Sequence, residues 1–271
     1  MARRALVITD LTRMQDERVC LAGYPVDLAW NEAPVCVRPD FRYGVITEPL
    51  LFSHGRVIVR PFAVVGVDLI EHRPRPPHTE DWAIDERVRV ARWAYDDEER
   101  HALLTHLDDG SVVNIFGAPI VHEGRWWVTA GTGVRSLGTI QPSRVVGVVL
   151  APKVARNGWD YRIAFDHVAS DRYDLAVTDL AFRFALDHRR DWDGQSPSEI
   201  ADTTLNTLQA AKALFLRIGL TRGFPDRPDR CYLQITGVYS FPDYLGGRCF
   251  ADFPAYQERL SRRNNLDGVP F

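Results

Sequence analysis

What most restricts the fold of this chain is a succession of short Val/Ile-rich runs, bounded by Gly, Pro and Asp, laid down in a similar order in both halves. In the first half the runs are "ALVITDL" (5–11), "RVCLAGY" (18–24), "PVCVRP" (34–39) and "RVIVRPFAVVGVDLIEH" (56–72). β-Branched residues with this punctuation specify strands joined by turns. The last run is longer than an ordinary strand, and Pro61 and Gly66 are where it is expected to kink or bulge. The proline cluster "RPRPPH" (73–78) then stops the sheet. The next segment, 78–107, is expected to be helical, with Thr79 as cap, Glu80 and Asp81 in the first turn, and Trp82, Val90, Trp93, Leu103, Leu104 and Leu107 as the recurring apolar positions. A second helix is expected to start at "DDEE" (96–99), and strands resume with "RWWVTAG" (125–131).

The second half follows with "RVVGVVLAPKV" (144–154), "GWDYRIAFDHV" (158–168) and "YDLAVTDLAFRFAL" (173–186) as strands. "SPSEIADTTLNTLQAAKAL" (196–214) is the best-specified helix, because Ser196 and Glu199 form a capping box with Pro197 at the first helical position. "LFLRIGLTR" (214–222) and "CYLQITGVY" (231–239) are the closing strands. Three strands, a helical insert and two more strands make the element order of an OB-fold, a small five-stranded Greek-key barrel. The predicted class is therefore mainly β with α (α+β): two tandem OB-like barrels, residues 1–143 and 144–271, each with a helical insert between strands three and four. A polar tail begins at Pro254 and is expected to form a short helix and an irregular end. A single mixed α+β domain is the competing architecture.

Bulk properties narrow the function. The 271 residues are enough to bury a substantial core, and no run of about 18 apolar residues suggests a membrane span. "MARRALVITD" is too short in apolar residues for a signal-peptide core and reads as a first strand. Cys20, Cys36, Cys231 and Cys249 form no CxxC pair, which argues for buried thiols in a reducing cytoplasm. A net charge of −3 gives no global attraction to phosphate, so any such affinity must be local. Of 33 basic residues only Lys153 and Lys212 are lysine; so uniform a use of arginine reflects coding bias, and only clustered arginines count.

The run "LFLRIGLTRGFPDRPDRCYLQITGVYSFPDYLGGRCFADF" (214–253), with "LVITDLTRM", "RVCLAGY" and "RPPHTEDW" (75–82), resembles the bacterial dual OB-containing domain family over about residues 1–253. The resemblance implies two OB-like barrels, a nucleic-acid or nucleotide-sensing role and an association with bacterial defence systems. It implies no catalytic residues.

OB-folds bind single strands by stacking bases on rings while arginines track the backbone. The candidate nucleic-acid-binding residues are Arg217, Arg222, Tyr232, Gln234, Phe241, Tyr244 and Arg248 in the second barrel, and Arg13, Arg38, Arg60 and Trp126 in the first. Alternation along 231–239 puts Tyr232, Gln234 and Thr236 on a solvent or ligand face and Tyr239 on the core side. Simple packing is the preferred reading of any one tyrosine, Arg13, Arg38 and Arg60 have acidic neighbours to pair with, and "FPDYLGG" (241–247) reads as a structural turn. Asp10, His78, Glu80 and Asp81 are the candidates for metal-assisted catalysis, but "HTED" has no HExxH-like spacing. No Walker A loop, GxGxxG or GxSxG is present, so neither a cofactor nor a catalytic residue is assigned. The expected partner is DNA, RNA or a nucleotide; a protein partner in a defence complex is the alternative.

Overall fold

The computed structural model describes residues 2–14, 17–27, 35–85, 94–153, 158–167, 171–254 and 256. The first half supplies β1 (Ala2–Arg13), β2 (Val19–Pro25), β3 (Arg38–Phe41), the short hairpin β4 (Phe52–Ser53) and β5 (Arg56–Val57), then β6 (Val64–His72) and β7 (Asp81–Ile84). Five of these form one sheet in the order β2-β1-β6-β7-β3, with β3 and β7 parallel and the other neighbours antiparallel. Two backbone hydrogen bonds between Gly23 and Val37, 2.8 and 3.0 Å, join β2 to the segment leading into β3 and close the barrel. A Cβ on Gly23 would strike the Val7 carbonyl, so only glycine permits this approach of strands.

Two helices, α1 (Asp97–His106) and α2 (Val112–Phe116), and the hairpin β8 (Ile120–His122) and β9 (Trp126–Thr129) follow. The second sheet adds β10 (Leu137–Ile140), β11 (Arg144–Pro152), β12 (Trp159–His167) and β13 (Asp171–Val177). Next come α3 (Leu180–Asp191) and α4 (Pro197–Ala210), then β14 (Ala213–Leu220) and β15 (Arg230–Phe241). Its order is β10-β14-β15-β13-β12-β11, again with one parallel pair, β13 and β15. β10 and β11 are two halves of one OB strand, interrupted at residues 141–143: the first half pairs with β14 and the second with β12. β1 does the same without interruption, pairing with β6 through its beginning and with β2 further along. Both sheets thus realise the closed OB order, and the two-barrel expectation holds. The insert between strands three and four is α3–α4 in the second barrel. In the first, that position holds a single 3₁₀ turn, Glu48–Leu51, and the β4–β5 hairpin.

Two local expectations are corrected. Residues 79–84 are not helical: Asp81–Ile84 is a strand, held between β3 and β6, while α1 begins after Asp96, whose side chain forms a capping box with Glu99. Sheet pairing overrides the local N-terminal helix signal there; the intervening apolar positions Val90 and Trp93 lie outside the described residues. The run 173–186 is not one strand. Asp179 accepts hydrogen bonds from the Ala181 and Phe182 amides and starts α3, ending the extended run at Val177. The predicted capping box of α4 is present, Ser196 with Glu199 and Pro197 at the first position. The tail beyond residue 256 lies outside the described residues.

The barrels meet through a buried polar seam. β1 carries a bulge at Thr9 and β15 one at Thr236, each the extra residue between two register positions. The bulges turn Asp10 and Thr236 toward one another. Arg217 of β14, fully buried, donates to both Asp10 carboxylate oxygens, to the Tyr24 hydroxyl and to Thr139. Thr236 donates to Asp10 at 2.6 Å. Nearby, Glu80 accepts from the Ser136 and Leu137 amides, so the chain leaving β6 of the first barrel fastens the first strand of the second.

Candidate nucleic-acid interface

The loop between strands four and five of the second barrel, residues 221–229, is tightened by a one-pair bridge between Phe224 and Arg227. This turn holds the Phe224 ring in solvent, 44% exposed, with its centroid 5.8 Å from that of Tyr232 at the start of β15. The β8–β9 hairpin lies against the same end of β15, pairing Tyr232 with Trp127 and Arg230 with Thr129. Directly paired residues share a sheet face, so Trp127 joins Tyr232 on the outer side. Exposed Arg125, at the hairpin tip, places its guanidinium 5.8 Å from the Tyr232 ring, and Arg230 lies 4.5 Å from the Trp127 ring. Arg230 also pairs with Glu123 at 2.9 Å. The result is a surface on which rings and guanidinium groups adjoin one another.

Of the residues singled out from sequence, this surface contains Tyr232, half-buried Gln234 two positions along the same strand, and Arg222. The Arg222 side chain is 56% exposed and donates to Asp81 at 2.6 Å, so it is tied to the first barrel yet remains open to solvent. Trp126 points to the other face, stacked on His122 at 4.2 Å and tilted over buried Tyr173 at 4.6 Å. Arg60, Tyr244 and Arg248 line a separate cleft. Phe241 packs edge-on to Phe215 and His101. Arg217 and Arg38 are interior ion-pair partners of Asp10 and Asp81, and half-buried Arg13 pairs with Asp187. Thr236, expected on the ligand face, is buried against Asp10.

The acidic segment "HTED" is spent on structure. Asp81 accepts from both Arg38 and Arg222, Glu80 fastens Ser136 and Leu137, and buried His78 lies close to the two arginines. Burial, reinforced by Arg38 and Arg222, pushes the His78 pKa down to about 3, so the ring is neutral near pH 7.

Sequence reasoning passed over Arg125, Phe224 and Arg230. Phe224 is the only ring in an otherwise polar loop, and Arg125 directly precedes the paired tryptophans; both signals were present in the sequence.

A family model for the dual OB-containing domain matches residues 7–238. The chain belongs to the dual OB-containing domain family. No curated protein matches it. In this dual-OB chain the match runs from β1 into β15, so it takes in both barrels, the seam between them and the ring-and-arginine surface. Among the described residues no helix is long and apolar enough to cross a membrane.

Proposed function

We propose that this dual-OB protein binds single-stranded nucleic acid across the outer face of its second barrel, at the loop between strands four and five and the adjoining β8–β9 hairpin. The observation that carries this is the adjacency of Phe224, Tyr232 and Trp127 to the guanidinium groups of Arg125 and Arg230. OB-folds use that loop to engage oligonucleotides. Each stacked base contributes about 1–3 kcal/mol, so two rings suffice for measurable binding. Arginine offers phosphate a bidentate fork and lies flat on rings. With a net charge of −3, attraction to the strand is local rather than global, and affinity is strongly salt-dependent. We place the activity in a bacterial defence system, the setting that the family resemblance implies.

Filter binding with short single-stranded DNA and RNA at 50 and 200 mM salt tests the assignment. Binding should weaken at the higher salt, fall roughly tenfold or more in Tyr232→Ala, and lose about one unit of salt slope in Arg125→Ala. Absence of binding to either polymer, with a protein partner co-purifying instead, would overturn it in favour of an adaptor.

A further inference from the structure

A second feature of the molecule has no part in that surface. Where α1, the segment before β6 and the loop after β15 come together, a cavity of about 50 Å³ is lined by Arg60, Arg100 and Arg248. We propose that this cleft binds the phosphate group of a phosphate monoester. The source is a free mononucleotide or the 5′-phosphorylated end of a strand.

Donor accounting supports the assignment. The Arg60 side chain makes no hydrogen bond or ion pair among the described residues; only its backbone carbonyl is engaged, by the Ala63 amide. Among the described residues the Arg248 side chain uses only Nε, on the Leu245 carbonyl at 3.2 Å, with its guanidinium lying 4.8 Å from the Phe253 ring. Arg100 uses Nε on the Tyr95 carbonyl and Nη1 on Asp97, which leaves Nη2. The two carboxylates on the cleft wall are committed elsewhere. Asp179 accepts from the amides of Ala181, Phe182 and Val238, and Asp243 from those of Leu245 and Gly247. Three arginines with unspent donors therefore line one small space. A dianion with acceptor oxygens on every side is the group that can engage them together.

Two further details sit in the same wall. The Tyr244 hydroxyl is buried with no hydrogen-bond partner among the described residues, an uncommon state for a buried polar atom. Phe62 holds a left-handed backbone, φ 64°, costly for a bulky residue, and its ring supports the Arg100 guanidinium at 5.2 Å. The volume admits a few water-sized groups. That suits a tetrahedral oxyanion and excludes a nucleobase, so the phosphate enters and the rest of the ligand stays outside.

The test uses the full chain, calorimetric titration and four probes: inorganic phosphate, a nucleoside 5′-monophosphate, and one oligonucleotide with either a 5′-phosphate or a 5′-hydroxyl end. Inorganic phosphate and the monophosphate should compete for one site. Arg60→Ala and Arg248→Ala, both at solvent-reachable positions, should each weaken phosphate binding at least tenfold, while Tyr232→Ala leaves it unchanged. Preference for the 5′-phosphorylated over the 5′-hydroxyl oligonucleotide, abolished in Arg60→Ala, identifies a strand end as the source; tight binding of the monophosphate alone identifies a free nucleotide. No phosphate binding by the parent protein, or undiminished binding in the folded Arg60→Ala/Arg248→Ala double variant, would overturn the proposal. Neither result bears on oligonucleotide binding through Tyr232, which the double variant retains.

Discussion

The Asp10–Arg217 pair has nearly no contact with solvent, and each partner's charge is tolerated only because the other is present. Arg217→Met should therefore cost about 3–5 kcal/mol in denaturant unfolding, since it strands a buried carboxylate. Adding Asp10→Asn should recover part of that loss, so the double variant is less destabilised than the sum of the singles. His78 makes a different prediction. Its folded pKa, about 3, lies below the ordinary value of 6.5, so between these the unfolded chain binds the extra proton. Stability from this group is complete above about pH 6.5 and declines as pH falls toward 3. Acidification from pH 7.5 to 5 should thus destabilise the parent more than His78→Leu, by up to about 2 kcal/mol, read from urea midpoints. Buried Asp179 works in the opposite sense: burial outweighs its three amide bonds and raises its pKa to about 7, so stability from it falls as pH rises from about 4 to 7. The comparison with His78→Leu cancels that contribution.

At the scale of elements, α4 depends on instructions contained within it. Ser196→Ala should lower stability by about 1 kcal/mol through loss of the capping bond, measured by chemical denaturation. Those same local signals are why α4 was legible in the sequence. β7 was not: Trp82, Ala83 and Ile84 follow residues suited to a helix start, and only the flanking β3 and β6 make them a strand. The barrel order could be read because strand runs and turns are written locally, whereas the seam could not. Bulges at Thr9 and Thr236 decide where Asp10 and Thr236 point, and nothing in the alternation of 231–239 announces that another barrel's carboxylate will cover Thr236. For the same reason Arg38 and Arg217 resembled surface arginines. Tyr232 was placed on its outer face by simple alternation, which holds up to the bulge and fails beyond it.

Taken whole, the molecule shares one main apolar cluster, which draws from β1 and β6 of the first barrel and from β12, β13 and β15 of the second. With the polar seam crossing the same boundary, the two barrels should melt together. Scanning calorimetry should give a single transition whose van't Hoff and calorimetric enthalpies agree; two resolved peaks would contradict this. The seam also sets an order of events during synthesis. Multi-unit chains usually fold from the N-terminus as they emerge from the ribosome. Here Asp10 waits for a cation 207 positions downstream, so the early half leaves the ribosome with an unneutralised carboxylate facing what will become interior. Nascent chains halted before Arg217 should stay open to protease, and chains released past it should become resistant. Compaction of the first-made barrel is thereby tied to delivery of the last, and a truncated transcript yields no half-finished binding module.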